Sequence, residues 1–263
     1  MTAGPPATAA RARIQVCLLG SFRILKDGHP VSVRSGGKVE QLVGSLALHE
    51  PGGVGRDELL NLVWPDRESD LARQSLNTMI YSLHRSLSDV LSGNAPVLHR
   101  AGRYRLNTEH GVAIDVAQFD LAVDSGDRLT RSGDRSGAIR AYLDAIDLYG
   151  GDLAVGSAIQ HLLERERLRA RYLSVFARLA DVHFAEGDYD RTLSRALELL
   201  AYDPCREDAH RMAMRCYVRL GQRAQALRQF RICQQVLALE FDVAPEEATV
   251  ELYRLVRQDP GRA

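Results

Sequence analysis

Several things that would mark an enzyme, a membrane protein or a secreted disulfide scaffold are missing from this sequence. The eight histidines are scattered, with no HxxxH or HExxH spacing, and no serine or cysteine sits in a nucleophile-elbow pattern. A catalytic site needs a nucleophile, base or metal cluster at compatible spacing, so catalysis is not expected, nor is a metal. No glycine loop of the GxxxxGK type is present, and neither a nucleotide nor any other cofactor is expected. The four cysteines, Cys17, Cys205, Cys216 and Cys233, form no CxxC pair and stand in apolar or helical surroundings. They read as buried free thiols in a reducing compartment. No apolar run is long enough to span a bilayer, and the start, MTAGPPATAARAR, has no apolar stretch suited to a signal peptide. A soluble, cytoplasmic protein with no membrane partner is the expectation. Net charge is also lacking: 34 Lys+Arg stand against 34 Asp+Glu. A uniformly basic nucleic-acid domain would not look like this, so any basic surface must be local.

The charge that is there is unevenly placed. Residues 1–110 carry 13 Lys/Arg against 10 Asp/Glu, and residues 111–263 carry 21 against 24. Between Leu71 and Arg105 stand five arginines (Arg73, Arg85, Arg100, Arg103, Arg105) and one acid, Asp89. That is a modest local footprint for DNA.

Taken in order, residues 1–13 are Ala/Pro-rich and read as a flexible tail. Ile14 to Leu25 is rich in strand formers, interrupted by Gly20; Asp27-Gly28 signals a turn, and Val31 and Val33 continue as a short strand. Lys38 to Glu50 has the apolar spacing of a helix and is stopped by Pro51-Gly52-Gly53. Arg56 to Trp64 is a second, short helix ended by Pro65. Asp66 to Asp70 is a polar, acidic loop.

Asp70 to Leu91 forms the third helix. Its apolar residues Leu76, Ile80, Leu83 and Leu87 recur at the spacing of one face. The opposite face carries Gln74, Thr78, Tyr81, Ser82 and Arg85: amides, hydroxyls, one ring and one guanidinium, with no carboxylate. Amides and hydroxyls can hydrogen-bond base edges, and arginine can contact guanine or phosphate. By itself this helix suits a half-buried position in a bundle equally well. Its neighbours favour DNA. Val97 to Leu106 reads as a hairpin with a turn near Ala101-Gly102, able to lay Arg100, Arg103 or Arg105 along phosphates or in the minor groove. Two helices joined by a turn or loop, with the last presented to the groove, make the helix-turn-helix arrangement, here with a basic hairpin beside it.

From Ile114 onward the chain reads as almost wholly helical. Gly133, Gly187 and Gly221 are each followed five residues later by a small residue (Ala138, Thr192, Ala226), and Gly187 and Gly221 lie 34 positions apart. That is the period of tetratricopeptide helix pairs, which stack into curved surfaces suited to binding protein. A scaffold that only dimerises or rigidifies the chain is the plainer alternative.

These residues together resemble the Streptomyces antibiotic regulatory proteins. The matching stretches are Leu19-Gly20-Ser21-Phe22, Leu62-Val63-Trp64-Pro65, Ala72 to Leu76 through Leu83 to Leu87, Tyr104-Arg105-Leu106, Ile114 to Phe119, Gly221 to Leu227, and the closing Leu252-Tyr253 and Gln258-Asp259-Pro260. The resemblance implies a mainly α protein with small β-sheets: a response-regulator-type winged helix-turn-helix domain at 14–110, then an all-α bacterial transcriptional activator domain of tetratricopeptide-like repeats at 111–263. It implies an activator that binds direct repeats in double-stranded promoter DNA, sites that suit a homodimer arranged head to tail. It further implies recruitment of RNA polymerase holoenzyme, including its sigma factor, to antibiotic or secondary-metabolite genes. Family members often carry a run close to Ser-Arg-Leu-Arg-Arg where this chain has Tyr81-Ser82-Leu83-His84-Arg85. Two arginines are thus absent, and Arg103 stands where the wing usually has glycine.

On this basis Gln74, Thr78, Tyr81 and Ser82 are candidates for base readout. Arg73, Arg85, Arg103 and Arg105 are candidates for phosphate or minor-groove contact. Lys38 and Arg56, near the starts of the first two helices, are candidates for backbone contact. Trp64 is expected in the core, and His84 in a structural role. Asp66, Arg67, Glu68 and Asp70 form a candidate polymerase-contacting loop. The missing arginines keep a rival open: a helical-repeat adaptor whose winged helix no longer binds DNA.

Overall fold

A computed structural model describes residues 12–31, 37–65, 69–156 and 159–258. Residues 1–11 of the tail expected at 1–13, the strand residue Val33, and Asp66, Arg67 and Glu68 of the acidic loop lie outside the described residues; Arg13 is tied to the first sheet, its carbonyl accepting from Asp27 at 2.8 Å. Two compact units emerge from the packing. One draws on residues 1–127 and 143–169, the other on 128–142 and 170–263.

The first unit opens with β1 (Ile14–Cys17), β2 (Arg23–Lys26) and β3 (His29–Pro30). β1 and β2 pair antiparallel, Ile14 opposite Lys26, and Asp27-Gly28 makes the turn into β3, both residues having positive φ. The fourth strand comes from far along the chain: β7 (Val112–Ile114) lies parallel to β1, Ile14 opposite Val112, giving the order β3-β2-β1-β7. Immediately after β7, the carboxylate of Asp115 accepts the backbone N–H of Leu18 and Leu19 at 2.7 and 2.9 Å, and that of Val116 at 2.8 Å. This ties the β1–β2 bend to the start of α4 (Asp115–Ser132). Burial outweighs these bonds and pushes the Asp115 carboxyl up to about 6.

Gly20 is required in this bend. Its φ is +87°, and a Cβ there would stand 2.5 Å from the Gly150 carbonyl oxygen. The close approach exists because residues 150–154 return to the sheet, with Gly20 donating to Asp152 and Ala154 to Leu18. Val155 continues this seam against α1, where a Cβ on Gly44 would stand 2.6 Å from its methyl.

Helices α1 (Lys38–Leu48), α2 (Arg56–Val63) and α3 (Ser69–Leu87) fill the middle of the unit. They bury Leu42, Val43, Leu46, Leu59, Leu60, Val63, Leu76, Leu83 and Leu87 in one core, with Trp64 beside them at 5% exposure. α3 ends at Leu87 rather than Leu91. Ser88 to Asn94 form a turn closed by Gly93, whose φ is +82°, and this turn carries Leu91 back into the core. A three-stranded sheet of order β4-β6-β5 completes the unit: β5 (Val97–Arg100) and β6 (Arg103–Leu106) form the expected hairpin around Ala101-Gly102, and β4 (Val54–Gly55) adds a two-residue edge.

Among its described residues the second unit holds helices and the turns that join them, with no strand. It takes the end of α4, the start of α5 (Arg135–Leu148), the later turns of α6 (Ile159–Ala185), and α7 (Tyr189–Tyr202), α8 (Glu207–Arg219), α9 (Arg223–Phe241) and α10 (Glu247–Gln258). α4, α6 and α8 end in the same way. Gly133, Gly187 and Gly221 adopt positive φ, and the N–H of the residue after each glycine bonds the carbonyl five positions earlier: Asp134 to Leu129, Asp188 to His183, Gln222 to Tyr217. This is the Schellman motif, for which a residue without Cβ is preferred. Ala138, Thr192 and Ala226 are all fully buried, so a larger side chain would hold the paired helices apart. The last helices close over Met214, Ala226, Phe230, Leu252 and Val256, and Phe230 stacks on Tyr253 at 4.1 Å.

Among the described residues no helix is long and apolar enough to cross a membrane, and no group of three or more potential metal ligands occurs. Cys17, Cys216 and Cys233 are buried free thiols, and burial pushes Cys17 and Cys216 up to about 11. Cys205 is a free thiol too, but it is only half-buried, less than its apolar context led us to expect.

Candidate nucleic-acid interface

The site is organised by α3. Its buried side, led by Ala72, Leu76, Leu83 and Leu87, fixes the opposite face toward solvent. At about 100° per residue, Gln74, Thr78, Tyr81 and Arg85 fall within roughly 40° of one line along that face. All four are exposed, Tyr81 at 67%. Ser82, also exposed, lies at the edge of the stripe. Among the described residues the Arg85 side chain makes no hydrogen bond or ion pair. The Thr78 hydroxyl donates back to the Gln74 carbonyl at 2.9 Å. Leu71, 54% exposed, and Asn77, exposed, flank the same line. The helical period alone places both there, and the site residues chosen from sequence overlooked them.

The acids nearby are engaged. Asp89, the single acid between Leu71 and Arg105, accepts from Lys26 at 2.6 Å, and this contact holds its carboxyl below the usual range. Asp70 sits on the first turn of α3, not in a loop, and pairs with Arg73 at 3.3 Å. Both partners are exposed, so solvent screens this pair and a competing phosphate could displace it.

Elsewhere the candidate cations are committed to the protein itself. Lys38, an exposed residue, donates to the Val63 carbonyl at 2.7 Å and so caps the end of α2. Arg56 donates to the Tyr104 hydroxyl at 2.9 and 3.2 Å, joining the start of α2 to the hairpin. Tyr104 in turn stacks on His99 with ring centroids 4.2 Å apart. Arg103 donates from Nε to the Gly52 carbonyl and from Nη2 to the Gly53 carbonyl, at 2.8 and 2.6 Å, and pins the loop between α1 and β4 to the wing. Arg105 pairs with Glu109 at 2.6 Å, which lowers the Glu109 carboxyl. Arg100, at the hairpin tip, is exposed, and its side chain makes no hydrogen bond or ion pair among the described residues. The His84 ring meets the Val97 carbonyl at 3.1 Å and bridges α3 to β5.

The geometry therefore assembles one outward helix stripe beside a hairpin with a free arginine at its tip. Lys38, Arg56, Arg103 and Arg105 act chiefly as braces within this unit. Comparison with known proteins bears on what such an assembly does. A family model described as the bacterial transcriptional activator domain matches residues 114–257. The transcriptional regulatory protein MoaR1 of Mycobacterium tuberculosis is 29% identical over 262 residues, covering 97% of this chain and 82% of its own. The regulatory protein DnrI of Streptomyces peucetius is 27% identical over 257 residues, covering 94% of each. Among solved structures, Mycobacterium tuberculosis EmbR in complex with a low-affinity phosphopeptide aligns with a TM-score of 0.76 at 19% identity, over 94% of this chain. At that identity it shows a shared fold, and the chain spans 65% of the EmbR chain's length. The chain belongs to the bacterial transcriptional activator domain family and is a transcriptional regulator of the Streptomyces antibiotic regulatory protein type.

Proposed function

We propose that this chain is an activator that binds direct repeats in promoter DNA through α3 and the β5–β6 wing. The observation that carries this is the exposed stripe Gln74, Thr78, Tyr81 and Arg85, whose polar groups can meet base edges and whose neighbouring acids are paired. Arg100 and Arg73 add phosphate contacts, and Arg85 closes the stripe at its carboxyl end. The amino-terminal part, 14–110, then serves as the DNA-binding domain and 111–263 as the activator domain. The protein is not an enzyme and works in the cytoplasm, as befits a relative of transcriptional regulators. It recruits RNA polymerase holoenzyme with its sigma factor, through the segment 66–70, to antibiotic or other secondary-metabolite genes. Direct repeats suit two copies placed head to tail on the DNA.

Footprinting across a salt series on the promoter nearest its own gene tests the proposal. Protection of two direct repeats spaced by whole helical turns, weakening as salt rises, is the expected result. No protection at low salt by folded protein would overturn it. That outcome would favour the adaptor reading, which draws support from the internal engagement of Arg103 and Arg105. Substituting Arg85 and Arg100 by alanine separates the two: an activator loses promoter binding while staying folded, and an adaptor is indifferent.

A further inference from the structure

We infer that α3 reads A·T pairs, with thymine methyls as its principal apolar contact, and that only its carboxyl end is equipped for guanine. This rests on the DNA-binding role proposed above and deepens it. The stripe that faces outward is Asp70, Leu71, Gln74, Asn77, Thr78, Tyr81 and Arg85, all exposed, with the Asp70 carboxylate held by Arg73 at 3.3 Å. Their chemistry is selective. Guanine offers two acceptors in the major groove and is best met by a bidentate cation. The stripe has one cation, Arg85, placed at its last turn. Adenine offers an acceptor and a donor side by side, which is the complement of a carboxamide. Gln74 and Asn77 are the two carboxamides of the stripe, and neither side chain is engaged among the described residues.

Thr78 sharpens the argument. Its hydroxyl proton is given to the Gln74 carbonyl at 2.9 Å. What remains outward is an acceptor, which can meet the amino group of adenine or cytosine but not the acceptor edge of guanine. Leu71 and Tyr81 supply the apolar part. They are 54% and 67% exposed, on a helix whose other large apolar residues are turned inward. Thymine alone presents a methyl in the major groove, so these two side chains find a dry contact only there. A stripe with one apolar residue near each end and carboxamides between them fits a short A·T core.

The test uses the full chain. A random-sequence duplex library is taken through selection, and the dominant site is then rebuilt with single-atom changes. Replacing thymine by uracil removes only the methyl, and replacing adenine by 7-deazaadenine removes only the N7 acceptor. The selected core is expected to be A·T, with at least one uracil exchange weakening binding about fourfold, as for one buried methyl. At least one 7-deazaadenine exchange is expected to weaken it about fivefold, as for one hydrogen bond. In Leu71→Ala, a change at an exposed position, the uracil penalty should vanish at the thymine that Leu71 meets. A G·C core, or an A·T core indifferent to both exchanges, would overturn this inference while leaving DNA binding intact. Failure of the folded protein to select any sequence would remove the DNA-binding proposal itself, and the base preference with it.

Discussion

Helix α3 and the β5–β6 hairpin both present polar and cationic side chains to solvent, yet those side chains are in different states. On α3 the outward groups have little to do within the protein: Arg85 is unengaged among the described residues, and the one hydroxyl bond of Thr78 stays inside the helix. On the hairpin, Arg103 holds two loop carbonyls and Arg105 holds Glu109, while Arg100 at the tip stays free. Exposure and availability are thus separate properties. A guanidinium that already braces a loop can offer a phosphate only its remaining N–H groups, in the orientation the brace allows. The chain divides the work, with the helix free to read and the wing mostly occupied in holding its own shape.

The largest effect available is to remove the footing that aims the stripe. Leu76 is 1% exposed beneath it, and Leu76→Ala should lower unfolding stability by about 2–5 kcal/mol in a denaturant titration. Next comes the tie behind the sheet. Burial holds the Asp115 carboxyl near 6, above its usual value, so the folded state disfavours the charged form. The sign follows: this group adds no penalty below about pH 4, and the penalty grows to a plateau above about pH 6. Stability measured from pH 4.5 to 7 should therefore fall in the native protein relative to Asp115→Asn, by on the order of 2 kcal/mol. Arg103→Ala should cost about 1 kcal/mol through its lost carbonyl bonds and leave the salt dependence of DNA binding nearly unchanged. The smallest stability effects, within about 0.5 kcal/mol, are expected for Arg85→Ala and Arg100→Ala. Each of these should instead flatten the salt dependence by about one unit. If Arg103 behaved like Arg85 in both measurements, the division between helix and wing would collapse.

Much of this arrangement is written locally. The period of Leu76, Ile80, Leu83 and Leu87 announces α3, Ala101-Gly102 announces the wing turn, and three glycines mark the helix-pair turns. Each is decided within a few residues. What stays hidden depends on partners far away. No local pattern says that Val112 to Ile114 lie beside β1, because a three-residue parallel strand looks like any apolar run. Nor does it show that residues 150–154 return to the same sheet, or that β4 exists at two residues. Helix α3 stops at Leu87 although Leu91 keeps the apolar period, because the turn to Gly93 delivers Leu91 to the core without helix. The tasks of Arg103 and Arg105 are likewise set by carbonyls and a carboxylate that pattern cannot locate.

The parallel pairing of β1 with β7 has a consequence for how the protein is made. β1 leaves the ribosome well before its neighbour, which begins at Val112, and before Ala154, whose backbone bonds Leu18. At roughly 5–20 residues per second, synthesis leaves the exposed edge of β1 waiting on the order of ten seconds or more for those partners. Early in its life, the nascent chain must therefore keep a short apolar strand from pairing elsewhere. A truncated product ending at residue 110 would carry that unpartnered edge permanently.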